Sequence, residues 1–173
     1  MPNRTVLLSA ARGLNAVAWG LALAFLGGTD IDHLMPLCAG AALSDGLLAM
    51  ALPSPAGGSG AARRWLAGGV SLAFGALMAW QPLYSTLSYS FLLMLRWVQW
   101  LLTLGLLSLV SAGADAERRP FGPRALGGAV ALAAAVALQL WPGAGMVERG
   151  LAAGLALALW GAAEIAAAGR SRA

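Results

Sequence analysis

Charge is scarce in this chain. Asp, Glu, Lys and Arg make up 10% of its 173 residues, against about 25% in an ordinary soluble domain. Hydrophobic residues make up 60%, and the mean hydropathy is +0.75. A water-soluble fold of this length has too little interior to hide so much apolar surface. A bilayer accepts it, because lipid replaces the buried core as the apolar phase. The composition predicts a single membrane domain over residues 1–173, with the lipid bilayer as its principal partner.

Other scarcities each exclude something. Cys38 is the only cysteine, so neither an intrachain disulfide nor a thiolate metal site can form. It falls within an apolar run and is expected to be a small buried side chain. His33 is the only histidine, which removes every nucleophile–histidine pair. G-x-S-x-G, H-E-x-x-H and P-loop patterns are absent too. The chain therefore reads as non-enzymatic and without a cofactor or metal. All eleven basic residues are arginine, the net charge is +4 and the pI is near 10.6. That balance could suit a nucleic-acid binder, but the arginines stand in ones and twos between apolar runs. They form no basic helix face and no aromatic–basic interleaving, so no nucleic-acid partner is expected.

What the chain does have is internal repetition. Gly13 and Gly20 stand seven residues apart in an apolar run, and Gly68 and Gly75 repeat that spacing 55 residues later. Gly128 and Ala135 repeat it after another 60. The same registers carry Pro82 onto Pro142, with Gly27 as the first counterpart, and Asp45 onto Trp100 and Trp160. Periods of this size decide an architecture before any single residue does. Six apolar segments can be drawn, at about 13–28, 34–52, 65–81, 85–110, 125–141 and 147–168. Helix is the form they require, since an open sheet edge in lipid leaves backbone groups unpaired. The segments from Arg4 to Leu26 also resemble a charged n-region and an apolar h-region. Because they fit the repeat, they are read as an uncleaved first membrane helix.

The connections alternate. Gly28 to His33, Pro82 to Ser85 and Pro142 to Gly145 are tight turns. The linker with Pro53, Pro55 and Gly57-Gly58-Ser59-Gly60, and the one with Asp115, Glu117 and Pro120, are longer and hydrophilic. Nine arginines (Arg4, Arg12, Arg63, Arg64, Arg118, Arg119, Arg124, Arg170 and Arg172) fall on one side of this layout, and Arg149 on the other. Such a split over short loops places the arginine-rich side in the cytoplasm. The expectation is an all-α membrane protein of six transmembrane helices with both termini cytoplasmic. They form three parallel-oriented helical hairpin repeats, at about 9–55, 64–112 and 124–170, related by a pseudo-threefold axis along the membrane normal.

Within that frame, Gly13, Gly20, Gly68, Gly75, Gly128, Gly150, Gly154 and Gly161 are expected to pack helices, since small residues let backbones approach where lipid removes the hydrophobic drive. A hinge for transport is the alternative. Asp45 lies about ten residues, or ~15 Å, from the outer end of its helix, near the bilayer midplane. A carboxylate there is costly unless protonated or paired. Arg96, about one turn nearer the outer face, is the candidate partner. The readings are a structural ion pair, a protonated Asp45, or a proton or ion pathway. Ser44 and Gln99 could add hydrogen bonds. Glu164 either snorkels or pairs with Arg12 or Asn15. Asp30, Asp32 and His33 form an outer-face cluster, read either as a weak-cation or pH-sensitive site or as a solvated turn that caps the second helix. Trp80, Trp141 and Trp65 sit at segment ends, as an aromatic belt predicts. Trp97, Trp100 and Trp160 lie within segments, and two of them would meet Asp45 and plug an axial pore.

The repeat resembles the HdeD family of small bacterial membrane proteins. The residues that carry the resemblance are Arg12-Gly13 to Trp19-Gly20 with Ser44-Asp45-Gly46-Leu47-Leu48. In the second copy they are Gly68 to Phe74-Gly75 and Gln81-Pro82, and in the third Leu126-Gly127-Gly128, Trp141-Pro142 and Trp160-Gly161. The second copy departs with Arg96, Trp97 and Trp100, and the third with Ala135. The resemblance implies six helices in the bacterial inner membrane and a link to acid resistance, with no catalytic residues to carry over. Two other classes stay open. One is a small transporter or proton-conducting protein working through Asp45 and Arg96. The other is a scaffold subunit that meets a membrane-protein partner, or a second copy of itself, through its glycine faces.

Overall fold

Among the described residues, six helices follow one another along the chain. The computed structural model describes residues 4–26, 31–52, 58–80, 89–114, 122–141, 143 and 145–170. The helices are α1 (Arg4–Leu26), α2 (Ile31–Ala51), α3 (Gly58–Trp80), α4 (Tyr89–Ala114), α5 (Pro123–Leu140) and α6 (Met146–Arg170). Each starts earlier or ends later than hydropathy alone indicates. Hydropathy marks the stretch that suits hydrocarbon, whereas the backbone ladder continues until a cap or breaker ends it. Thus α1 begins at Arg4, well before the apolar run, and Gly58-Ser59-Gly60, expected to belong to a flexible linker, form the first turn of α3. At α5 the start is chemical: Pro123 takes the first helical position and the Gly122 carbonyl accepts from the Ala125 amide at 3.0 Å. Proline is suited there because its missing N–H would have no intrahelical partner.

Among the described residues, five helices are long and apolar enough to cross a membrane, rather than the six expected. The exception is α3, where Arg63, Arg64 and Gly68-Gly69 dilute the apolar run. Its length of 23 residues still corresponds to about 34 Å of helix, and it packs between α2 and α4 like the others.

Each helix touches the next in sequence, and α6 returns to α1, so the six close into a ring. The widest seams are α1/α6, α2/α3 and α4/α5. Glycine makes them. A Cβ on Gly13 would stand 2.6 Å from the Gly161 carbonyl oxygen, and one on Gly20 2.6 Å from that of Gly154. On α3, a Cβ at Gly68 would lie 2.9 Å from the Gly46 carbonyl; on α5, one at Gly128 would lie 2.9 Å from the Gly105 carbonyl. At those distances only a bare Cα lets the backbones meet, which is the small-residue packing expected of helices in lipid. Gly75 packs against Leu43, and Gly150 is buried.

The bundle is small inside and large outside. Ala16, Ala42, Ala131 and Ala135 line the core between helices, around the indoles of Trp97, Trp100 and Trp160. Cys38 is buried among them. Phe25 and Leu140 are about three-quarters exposed, at 75% and 74%, with Leu14, Leu47 and Leu126 also outward. A surface of exposed leucine around a core of alanine inverts the soluble pattern and suits a lipid surround. Trp80 and Trp141 are exposed at helix ends, whereas the exposed Trp65 stands two turns into α3.

Candidate functional site

The polar residues of the core converge on Asp45. On α1, Arg12 stands nine residues into the helix, about 12 Å from its start. The guanidinium meets the carboxylate of Asp45 on α2 side-on: Nε donates to Oδ1 at 2.6 Å and Nη2 donates to Oδ2 at 3.1 Å. Paired donors matched to paired acceptors make this the strongest kind of side-chain hydrogen bonding. Oδ2 also accepts from the Ser71 hydroxyl on α3 at 2.8 Å, and Ser71 accepts in turn from the Trp100 indole on α4 at 3.0 Å. Asp45 is 2% exposed. A carboxylate so deep requires a cation and hydrogen bonds to stay charged, and it has both.

Arg12 is held from its other side by an aromatic face. Its guanidinium carbon lies 4.9 Å from the Trp160 ring centroid on α6, within the range of a cation–π contact. The Trp160 indole donates to Ser108 on α4 at 2.9 Å. One connected network therefore runs from Trp100 through Ser71, Asp45, Arg12 and Trp160 to Ser108, joining five of the six helices. A second ion pair, Arg124 Nε to Glu164 Oε2 at 3.4 Å, ties α5 to α6. A third polar seam joins α1 to α2: the Trp19 indole donates to Asn15 at 3.2 Å, and Asn15 donates to Ser44 at 3.0 Å. Gly40 lies under the Trp19 ring, and the Ser44 hydroxyl turns back to the Gly40 carbonyl.

A cavity of about 380 Å³ approaches this network from the end of the bundle where α1, α3 and α5 begin. All six helices contribute to its wall. Arg12 forms part of its lining, together with Arg63, Arg64 and Arg124, whereas Asp45 lies behind Arg12 and does not. Among the described residues, Glu164 is the only carboxylate on the wall.

The chain matches no protein-family model, no curated protein and no solved structure.

The structure corrects one pairing and redirects several others. Asp45 does not pair with Arg96; its oxygens are taken by Arg12 and Ser71. Position around the bundle, rather than depth along the helix, is the reason. Arg96 had a suitable height, but only the angular position around the bundle decides which side chains face, and α1 is the neighbour that brings a cation to Asp45. Glu164 takes Arg124 as its partner at 3.4 Å, while Arg12 goes to Asp45. Ser44 serves Asn15 instead of Asp45, and the carbonyl of Gln99 accepts from Thr103 within α4. Trp97 stacks at a tilt on Trp100, with centroids 4.8 Å apart, and its indole N–H has no hydrogen-bond partner among the described residues. Asp30 lies outside the described residues, as do the side chains of Asp32 and His33. Arg149, the lone arginine at the opposite end, reaches the Trp141 carbonyl past the end of α5 at 3.4 Å.

Ser71 and Ser108 were the unforeseen members. Ser71 had a legible signal, since it lies between Gly68 and Gly75 on a helix whose small residues mark the packed face. Ser108 has the corresponding place beyond Gly105.

Proposed function

We propose that this chain is a non-enzymatic, HdeD-like protein of the bacterial inner membrane with an accessory, acid-stress-related role. In this reading six membrane helices form three hairpins of one orientation about a pseudo-threefold axis, with both termini cytoplasmic. The three glycine seams support the repeat, because each joins the second helix of one hairpin to the first helix of the next, with α6 returning to α1. The spacing of the crossing glycines supports it too: Gly13 to Gly46 and Gly128 to Gly161 are both 33 residues, and Gly68 to Gly105 is 37. The extra four residues are about one helical turn, so α4 keeps its face and shifts along its axis. The arginine-lined end supports the cytoplasmic placement.

The observation that carries the accessory reading over a conducting one is the state of Asp45. Both of its oxygens are occupied by donors, and Arg12 stands between it and the cavity. Such a carboxylate is a structural anchor and a poor proton relay. The test is proton flux into liposomes that hold the purified chain. The expected result is no flux above protein-free vesicles, in the wild type and in Asp45→Asn alike. Flux that Asp45→Asn abolishes would establish the transporter instead. The stress role is tested by acid survival of a deletion strain, which should fall; unchanged survival removes that role.

The transporter reading keeps one specific observation in its favour: the cavity reaches Arg12, one residue short of Asp45. Its partner for Asp45 would then be Arg12. The scaffold reading changes its surface. Gly13, Gly20, Gly68 and Gly161 are engaged inside the bundle, so a partner subunit would meet exposed side chains such as Leu14, Phe25 and Leu126. Co-purification of a partner in mild detergent tests it.

A further inference from the structure

We infer that the cavity binds a small zwitterion, a molecule with an ammonium group beside an anionic one, between Arg12 and Glu164. Both side chains line the hollow of about 380 Å³. Trp160, whose ring seats the Arg12 guanidinium at 4.9 Å, lies four residues before Glu164 on α6, so the two share one helix face, a turn apart. Glu164 therefore stands close beyond Arg12, yet the two form no ion pair with each other.

Each keeps an open valence. Arg12 uses Nε and Nη2 on Asp45, and Glu164 uses Oε2 on Arg124. Guanidinium and carboxylate both have capacity for more bonds than these. Among the described residues nothing bonds Arg12 Nη1 or Glu164 Oε1, and neither atom is sealed from solvent. Glu164 as a whole is only 5% exposed, so the cavity is the route by which a ligand reaches its free oxygen.

Charge and shape narrow the ligand. Arg12 already has Asp45 as its counter-charge, and Glu164 has Arg124. The open valences therefore call for a donor and an acceptor that together bring no net charge. An ammonium donating to Oε1 and an acid group accepting from Nη1 supply both, as charge-assisted bonds. Leu52, Leu104 and Leu107 on the wall lower the local dielectric and strengthen both contacts. The volume lies at the lower end of the range of about 300–1,000 Å³ for small-molecule pockets, and exceeds what one bridging water fills. Two sources carry this chemistry: a soluble amino acid, and the headgroup of an ethanolamine phospholipid.

The test uses the full chain, stripped of lipid in neutral detergent. L-alanine and glycerophosphoethanolamine are titrated by calorimetry. N-acetylalanine and glycerophosphocholine, which lack a hydrogen-bonding ammonium, are the matched controls. Native mass spectrometry follows retention of phosphatidylethanolamine against phosphatidylcholine. Saturable binding of L-alanine admits a soluble ligand; binding confined to glycerophosphoethanolamine or phosphatidylethanolamine assigns the headgroup. In either case the matched control should bind at least about tenfold more weakly, the equivalent of one charged hydrogen bond. That contrast is read on the wild type and needs no variant to fold. Glu164→Gln, which keeps the shape and removes the charge, should weaken zwitterion binding by a similar factor. Absence of all three kinds of binding in the wild type overturns the proposal. Equal binding of the controls does so too, as does undiminished binding by a folded Glu164→Gln chain.

Discussion

Arg12 and Asp45 are locked side-on, through two hydrogen bonds of 2.6 and 3.1 Å between α1 and α2. A chain of buried polar side chains is arranged around this pair. Trp160 covers the guanidinium, Ser71 binds the carboxylate, and Trp100 binds Ser71. In a bundle whose seams are built from glycine and alanine, apolar contact alone gives little angular specificity. The network supplies it by requiring five helices to present particular groups to one another.

Ser71→Ala breaks the network at its middle. The Trp100 indole then loses its acceptor in a fully buried position, and Asp45 loses one donor. A buried donor left unsatisfied costs about 1–3 kcal/mol. Unfolding in detergent should show that loss. Thr103→Ala, whose hydroxyl bonds the Gln99 carbonyl within the same helix, should stay within about 0.5 kcal/mol. Equal effects at the two sites would mean that the network carries no special weight.

Glycine substitutions should split by sign. A Cβ at Gly20 meets the backbone of Gly154 and Ala158 at 2.5–2.6 Å, and backbone cannot swing aside as a side chain can. Gly20→Val should therefore cost about 3 kcal/mol or more. At Gly169 and Gly113, nothing lies within 4 Å of an added Cβ. Both are helical, so Gly169→Ala and Gly113→Ala should stabilise by up to about 1 kcal/mol. Thermal unfolding of the three variants against the wild type checks the contrast.

These contrasts also show what was legible in the sequence. Spacing identified Gly13, Gly20, Gly68, Gly75, Gly128, Gly154 and Gly161 as packing positions, because a seven-residue interval returns to one helix face after two turns. It could not say that Gly105 rather than Leu101 would oppose Gly128. That depends on a four-residue shift of α4, which leaves the face unchanged and so leaves no mark on periodicity. Asp45 was conspicuous because a carboxylate in an apolar run must be compensated. Its partner was not, since Arg12 and Arg96 both had a reachable depth, and only the order of helices around the ring distinguishes them. The cavity was illegible for the same reason. Arg63, Arg64 and Arg124 read as topology signals on separate linkers, and their convergence is a product of ring closure.

Orientation is checked by labelling. In a Cys38→Ser background, Gly143→Cys lies in the turn between α5 and α6, and Gly169→Cys lies near the end of α6. A membrane-impermeant maleimide should reach Gly143→Cys in intact spheroplasts and Gly169→Cys only after permeabilisation. The reverse pattern would put the arginine-lined cavity on the outer face.

The most direct test of the central claim is a double-mutant cycle on Arg12 and Asp45, read by chemical unfolding in detergent. Removing one member of a buried pair typically costs about 3–5 kcal/mol, whereas replacing both by apolar groups is often close to neutral. Arg12→Met and Asp45→Leu should therefore each be strongly destabilising alone, and the double variant should recover most of the loss. Two small losses that simply add in the double variant would contradict the account, because they would mean that the two residues stabilise the bundle independently.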